Sequence, residues 1–192
     1  MLYYYLMSQL PYLYYDQKAP MSSEAFKEIT KSQMSKNDAA LIDYLSLDTD
    51  DEAEVISTGC DFIDAWRSWE RALRFNLARY RSLKLFNDVA ETAEPPVVPA
   101  DAVTAAAAAF TQDGSPLDGE ILIDKARWAA IDLLTTGIDY FHKNNAFAYY
   151  LKLLLLERRQ LFNAETGFSE YKSLYAEIME NGQSCVSSSA GN

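Results

Sequence analysis

The chain has 192 residues, 49% of them apolar, with only 7 Gly and 6 Pro and a formal net charge of −11. That length fits one domain or two small ones and is enough to bury a sizeable core. A charge this acidic argues against nucleic acid, whose phosphates are neutralised by Lys and Arg, and against an anionic membrane surface. Two cysteines, Cys60 and Cys185, make no disulfide framework. The opening segment lacks the basic start and long apolar run of a secretory leader, so a reducing cytoplasm is the expected compartment.

Residues 1–15, MLYYYLMSQLPYLYY, are a tyrosine cluster broken by Pro11. Tyr3, Leu6, Leu10 and Leu13 fit one helix face, while the β-propensity of tyrosine also allows a strand. In either form the segment is expected to dock on the core. Ser22–Ser35 and Asn37–Leu47 follow as two short helices, the first turning Phe26, Ile29 and Met34 inward and the second Leu41, Ile42, Leu45 and Leu47. The acidic run Asp48 to Glu54 has the carboxylate density of a calcium loop. Ala53 and Gly59 stand where such a loop needs its glycine and its bidentate glutamate, so no metal is expected there. Thr49 with Glu52 reads instead as a capping box, its spare carboxylates drawn to the positive end of a helix.

Cys60 to Phe86 is a long amphipathic helix with Phe62, Trp66, Trp69, Leu73, Leu77 and Tyr80 along one side. Arg67, Arg71, Arg74 and Arg81 fall within an arc of about 80° on nearly the opposite side, with Glu70 at its edge. In so acidic a chain this stripe reads either as a solvated, internally paired face or as a docking surface for an acidic partner. The next stretch changes composition. Pro95, Pro96 and Pro99 favour an extended linker, and Ala105–Phe110 adds at most a short helix.

Beyond it, Pro116 opens a helix carrying Ile121, Trp128, Ile131, Leu134, Ile138 and Phe141 inward. Asn145 to Phe162 is the most apolar helix, with Phe147, Tyr150, Leu151, Leu154, Leu155, Arg158, Leu161 and Phe162 on one broad side. Its apolar run of about eleven residues is far too short to cross a bilayer, so it reads as a buried core helix. Phe168 to Ile178 forms a last helix, and a polar tail ends the chain. The organisation that follows is an all-α, multi-helix bundle of amphipathic helices. It divides into an N-terminal helical unit (1–90), a Pro/Ala-rich linker (91–115), a C-terminal helical unit (116–181) and a disordered tail (182–192).

A shift of 78 residues lays Gly59 on Gly137, Asp61 on Asp139, Leu73 on Leu151, Leu77 on Leu155, Arg81 on Arg159 and Leu83 on Leu161. Either a two-helix unit is duplicated, or two amphipathic helices share leucines at helical spacing. Chemistry finds little purchase. His142 is the only histidine, so no Ser/His or Cys/His pair and no His-rich metal site is expected. Gly114 and Gly119 are spaced as in a phosphate loop, but Glu120-Ile121 stands where Lys-Ser/Thr is needed. No catalytic, cofactor or metal residue is assigned.

Three passages carry a resemblance: YYYLMSQLPYL (3–13), PLDGEILIDKARWAAID (116–132) and AYYLKLLLLERRQLFNAETGF (148–168). Together they resemble a bacterial family of uncharacterised proteins encoded within V-type ATP synthase operons, regarded as counterparts of the V-type subunit called C or d. The resemblance implies an all-helical, non-catalytic coupling subunit that seats the central stalk on the membrane rotor ring. It implies stalk and ring subunits as partners, no cofactor, no direct membrane insertion, and a cytoplasmic place at the periphery of the inner membrane. On this reading the arginine stripe is the partner-binding surface. The alternative is a helical protein–protein interaction or regulatory module unrelated to rotation.

Overall fold

The computed structural model describes residues 1–47, 57–86, 98–111, 116–162 and 172–175. These are overwhelmingly helical: α1 (Tyr4–Gln9), α2 (Ser23–Gln33), α3 (Lys36–Ala40), a 3-10 turn (Leu41–Tyr44), α4 (Asp61–Phe86), α5 (Ala100–Thr111), α6 (Pro116–Thr135) and α7 (Lys143–Leu161). No strand occurs among the described residues. The only extended pairing there is one bridge between Leu2 and His142. The acidic run at Asp48–Glu54, most of the last expected helix, and the tail with Cys185 lie outside the described residues.

Local chemistry starts the helices. The Ser22 hydroxyl accepts from Ala25 N at 3.1 Å and that of Ser35 from Asp38 N at 3.2 Å, each satisfying a donor at a helix start. At α4 the chain turns through Gly59, whose φ of +73° is costly for any side chain bearing a Cβ. The Asp64 carboxylate then reaches back to accept from Thr58 N at 2.9 Å and from the Ser57 and Thr58 hydroxyls. Those bonds outweigh burial and hold the Asp64 pKa below its ordinary value. Gly137, which the 78-residue shift lays on Gly59, also has a positive φ, +78°.

Met1–Glu157 form one compact unit. Within it α4, α5 and α6 pack on one another. The helix expected at Ala105–Phe110 extends over Ala100–Thr111, and Ala102 and Ala106 have no exposed surface. The expected linker 91–115 therefore contains a core helix. Alanine costs least in a helix, and packing supplies what a short isolated helix lacks. The approach of α5 to α6 is close: a Cβ on Gly119 would sit 3.3 Å from the Ala109 carbonyl oxygen. Trp69 Nε1 donates to Asp101 at 2.7 Å, pinning α5 to α4, and Tyr80 stacks on Phe110.

α7 runs through the middle and is buried almost all round, Phe147, Leu151 and Leu153 completely and Leu155 and Leu156 nearly so. Phe26 of α2 lies against Tyr149 and Tyr150, Phe62 of α4 against Phe147, and Glu157 accepts from Ser23 N and its hydroxyl. The expected inward face needs correction at Leu154, which is half-buried while its neighbours on either side are buried, and at Leu161 and Phe162, which are exposed. α1 docks through Tyr3, Leu6 and Met7. Its entry is fixed by Tyr3 N donating to Phe141 O and Lys143 N to Met1 O. Arg158–Asn192 form a second unit, in which the Arg158 guanidinium lies 5.0 Å from the Phe162 ring centre.

Candidate functional site

The most concentrated chemistry is a buried ion cluster between α4 and α6. Glu70, with no exposed surface, accepts from Arg127 Nε at 3.0 Å and also from Arg127 Nη2. Arg127 Nη1 donates to Asp124 at 2.9 Å, one turn back on its own helix. Arg74 Nε lies 3.3 Å from Glu70, and Arg74 Nη2 donates to the Leu47 carbonyl at 2.7 Å. Burial works against the Arg127 charge, but the bonds and charge of Glu70, then of Asp124, outweigh it and raise the guanidinium pKa. Bidentate geometry and matched charges mark a clasp between helices.

This cluster decides what the arginine stripe can offer. Arg74 is committed inward to Glu70 and Leu47. Arg81 is exposed, its guanidinium 3.9 Å from Glu120 of α6. Arg67 and Arg71 are half-buried, Arg67 one turn from the Asp64 carboxylate it helps to hold ionised. The four arginines thus differ in role.

A second cluster joins the N terminus to the start of α7. Asp38 accepts from the Tyr3 hydroxyl at 2.6 Å and Lys143 Nζ at 2.8 Å. Burial opposes the Asp38 charge, but the Lys143 and Tyr3 bonds prevail and lower its pKa. Next to it His142 Nδ1 accepts from Asn144 N at 3.3 Å, capping α7, which requires an unprotonated nitrogen. Burial, the Met1 amino group and Lys143 lower the His142 pKa, outweighing Asp139 and Asp38. A group whose folded pKa is depressed gives stability that is present above its unfolded value of about 6.5 and lost as pH falls through the folded value. The melting temperature is therefore expected to drop on acidification from about pH 7 to 5, with a shallower drop in His142→Asn, which keeps a capping oxygen without titrating there. Equal slopes in the two proteins would remove His142 from the clamp.

Two hollows remain. A small cleft of about 130 Å³ is lined by Pro11, Tyr12, Tyr140 and Tyr149, with Asp132 and Lys152 at its side. Burial pushes the Tyr149 phenol up to about 12, and its hydroxyl donates to Pro11 O. Lys152 is taken up by Asp132 and by the Trp128 ring, 4.7 Å away. The larger hollow, about 610 Å³, is an alanine-lined groove between α5 and α6. Among the described residues no group of three or more His, Cys, Asp or Glu side chains could hold a metal ion, and no helix is long and apolar enough to cross a membrane. No family model, curated protein or solved structure matches this chain.

Proposed function

We propose that this chain is a non-catalytic coupling subunit of a bacterial V-type ATP synthase, helping to seat the central stalk on the membrane rotor ring at the cytoplasmic face of the inner membrane. The observation that carries the reading is the resemblance of passages 3–13, 116–132 and 148–168 to proteins encoded in such operons. In the fold these passages touch one another: Tyr149 donates to Pro11 O, and Lys152 pairs with Asp132 and lies over Trp128. A resemblance concentrated in mutually packed segments supports a shared body over a chance likeness of leucine-rich helices. The all-helical architecture and the fully paired interior charges also suit a part that transmits force without chemistry.

The test is co-purification of the full chain with V-type stalk and ring subunits from cells expressing both. Association at defined stoichiometry is expected, and its absence under conditions that keep the rotor intact overturns the reading. Arg67→Glu combined with Arg71→Glu is expected to abolish that association with the circular dichroism spectrum unchanged. Unaltered binding would take the docking role away from the stripe. Arg74 is left out because reversing it would break the Glu70 clasp.

A further inference from the structure

The α5–α6 groove has the form of half an interface. Along α6, Leu122, Ala126, Ala129 and Leu133 follow the 4-3-4 spacing of a coiled-coil seam, and Ala105 and Ala108 of α5 form the groove's other wall. Leu133 stands 65% exposed at one end of a trough floored by alanines. The order Leu, Ala, Ala, Leu along the seam reads the same in either direction, as a self-complementary antiparallel contact requires.

The charges beside the seam supply a second, independent indication. Lys125 and Asp132, both exposed, are seven residues apart and so occupy the same flank of the stripe. In an antiparallel pair related by a two-fold axis, like flanks face each other, so Lys125 of one copy meets Asp132 of the other, twice. The charges place the axis midway between residues 125 and 132. Pairing Leu122 with Leu133 and Ala126 with Ala129 places it midway between 122 and 133, one residue away, or about 1.5 Å along the helix. Asp132 also holds Lys152 within its own copy, through one carboxylate oxygen, and its side chain is 54% exposed.

The geometry points to a second copy of this chain as the occupant of the groove, docked antiparallel across a two-fold axis, with Leu133 of each copy against Leu122 of the other, Ala126 against Ala129 at the axis, and Lys125 facing Asp132. The inference does not rest on the proposed role in rotation.

Sedimentation equilibrium on the full chain tests it, with circular dichroism confirming that each variant is folded. The wild type is expected to be a dimer, and Leu133→Glu a monomer of unchanged helicity. Lys125→Asp sets like charges across the axis and is expected to weaken the dimer about tenfold or more. Adding Asp132→Lys to it restores opposite charges and is expected to recover most of that loss, a rescue that a merely structural lysine would not give. A wild type that stays monomeric overturns the inference. So does a dimer that Leu133→Glu leaves intact, or a charge swap without recovery.

Discussion

Arg127→Ala is expected to destabilise the protein by about 3–5 kcal/mol in urea unfolding, and to lower its melting temperature by roughly 10 °C. The loss comes less from the missing attraction than from what stays behind. Glu70 would remain without exposed surface, keeping only the 3.3 Å contact of Arg74, and Asp124 would lose its bond to Nη1. An uncompensated buried carboxylate pays the full desolvation penalty. The informative companion is Glu70→Leu with Arg127→Met and Asp124→Asn, which removes the three buried charges together, keeps the volume, and leaves the more exposed Arg74 its bond to the Leu47 carbonyl. It is expected to recover most of the loss, because apolar groups of similar size commonly replace a buried ion cluster at little cost. An Arg127→Ala variant that melts with the wild type would show that the clasp contributes nothing, and a triple variant no better than the single would place the cost in packing.

The all-helical class and most helix positions were legible because period and caps agree with the final packing. Ser22 and Ser35 cap where their side-chain chemistry indicates, and Trp66, Trp69 and Leu73 bury where the wheel puts them. The clasp was legible too, but only to a reading that admits charged members of an apolar face. Glu70 lies about 40° from Trp66 and about 60° from Leu73 around α4, about 20° beyond the edge of the aromatic arc and between it and the arginine stripe. Arg127 lies between Ile123 and Ile131 on α6, inside the apolar face, with Asp124 one turn away on the buried side. One acid at the margin of one apolar face and one base inside another is the signature of a buried pair. Listing only hydrophobic residues hides it, and it also misplaces Arg74, which sits about 40° from Glu70 and turns toward it. The length of α5 was hidden for a different reason. Its alanines carry almost no periodic signal, and the partners that make the helix persist, Trp69, Tyr80 and Gly119, are distant in sequence. The 3-10 turn at Leu41–Tyr44, where a continuous helix to Leu47 was expected, likewise follows from tertiary bonds: Trp66 Nε1 takes Ser46 O, and Arg74 takes Leu47 O.

Leu155→Ala is expected to cost about 2–5 kcal/mol, and Leu154→Ala distinctly less, although the two are adjacent and the wheel assigns both to the core. Leu155 is 1% exposed in the centre of a helix packed on nearly every side, so truncation leaves a cavity that rigid neighbours cannot close. Leu154 is half-buried at the margin of the core, where less apolar surface is gained on folding and solvent can fill the space. Leu153→Ala serves as the control for orientation. A single-faced amphipathic helix would put residue 153 in water and make the change nearly silent, whereas complete burial predicts a loss comparable to that at Leu155. Urea unfolding of the three variants separates the two pictures, since a ranking with Leu154 most costly and Leu153 silent would mean that α7 lies on the core and does not run through it.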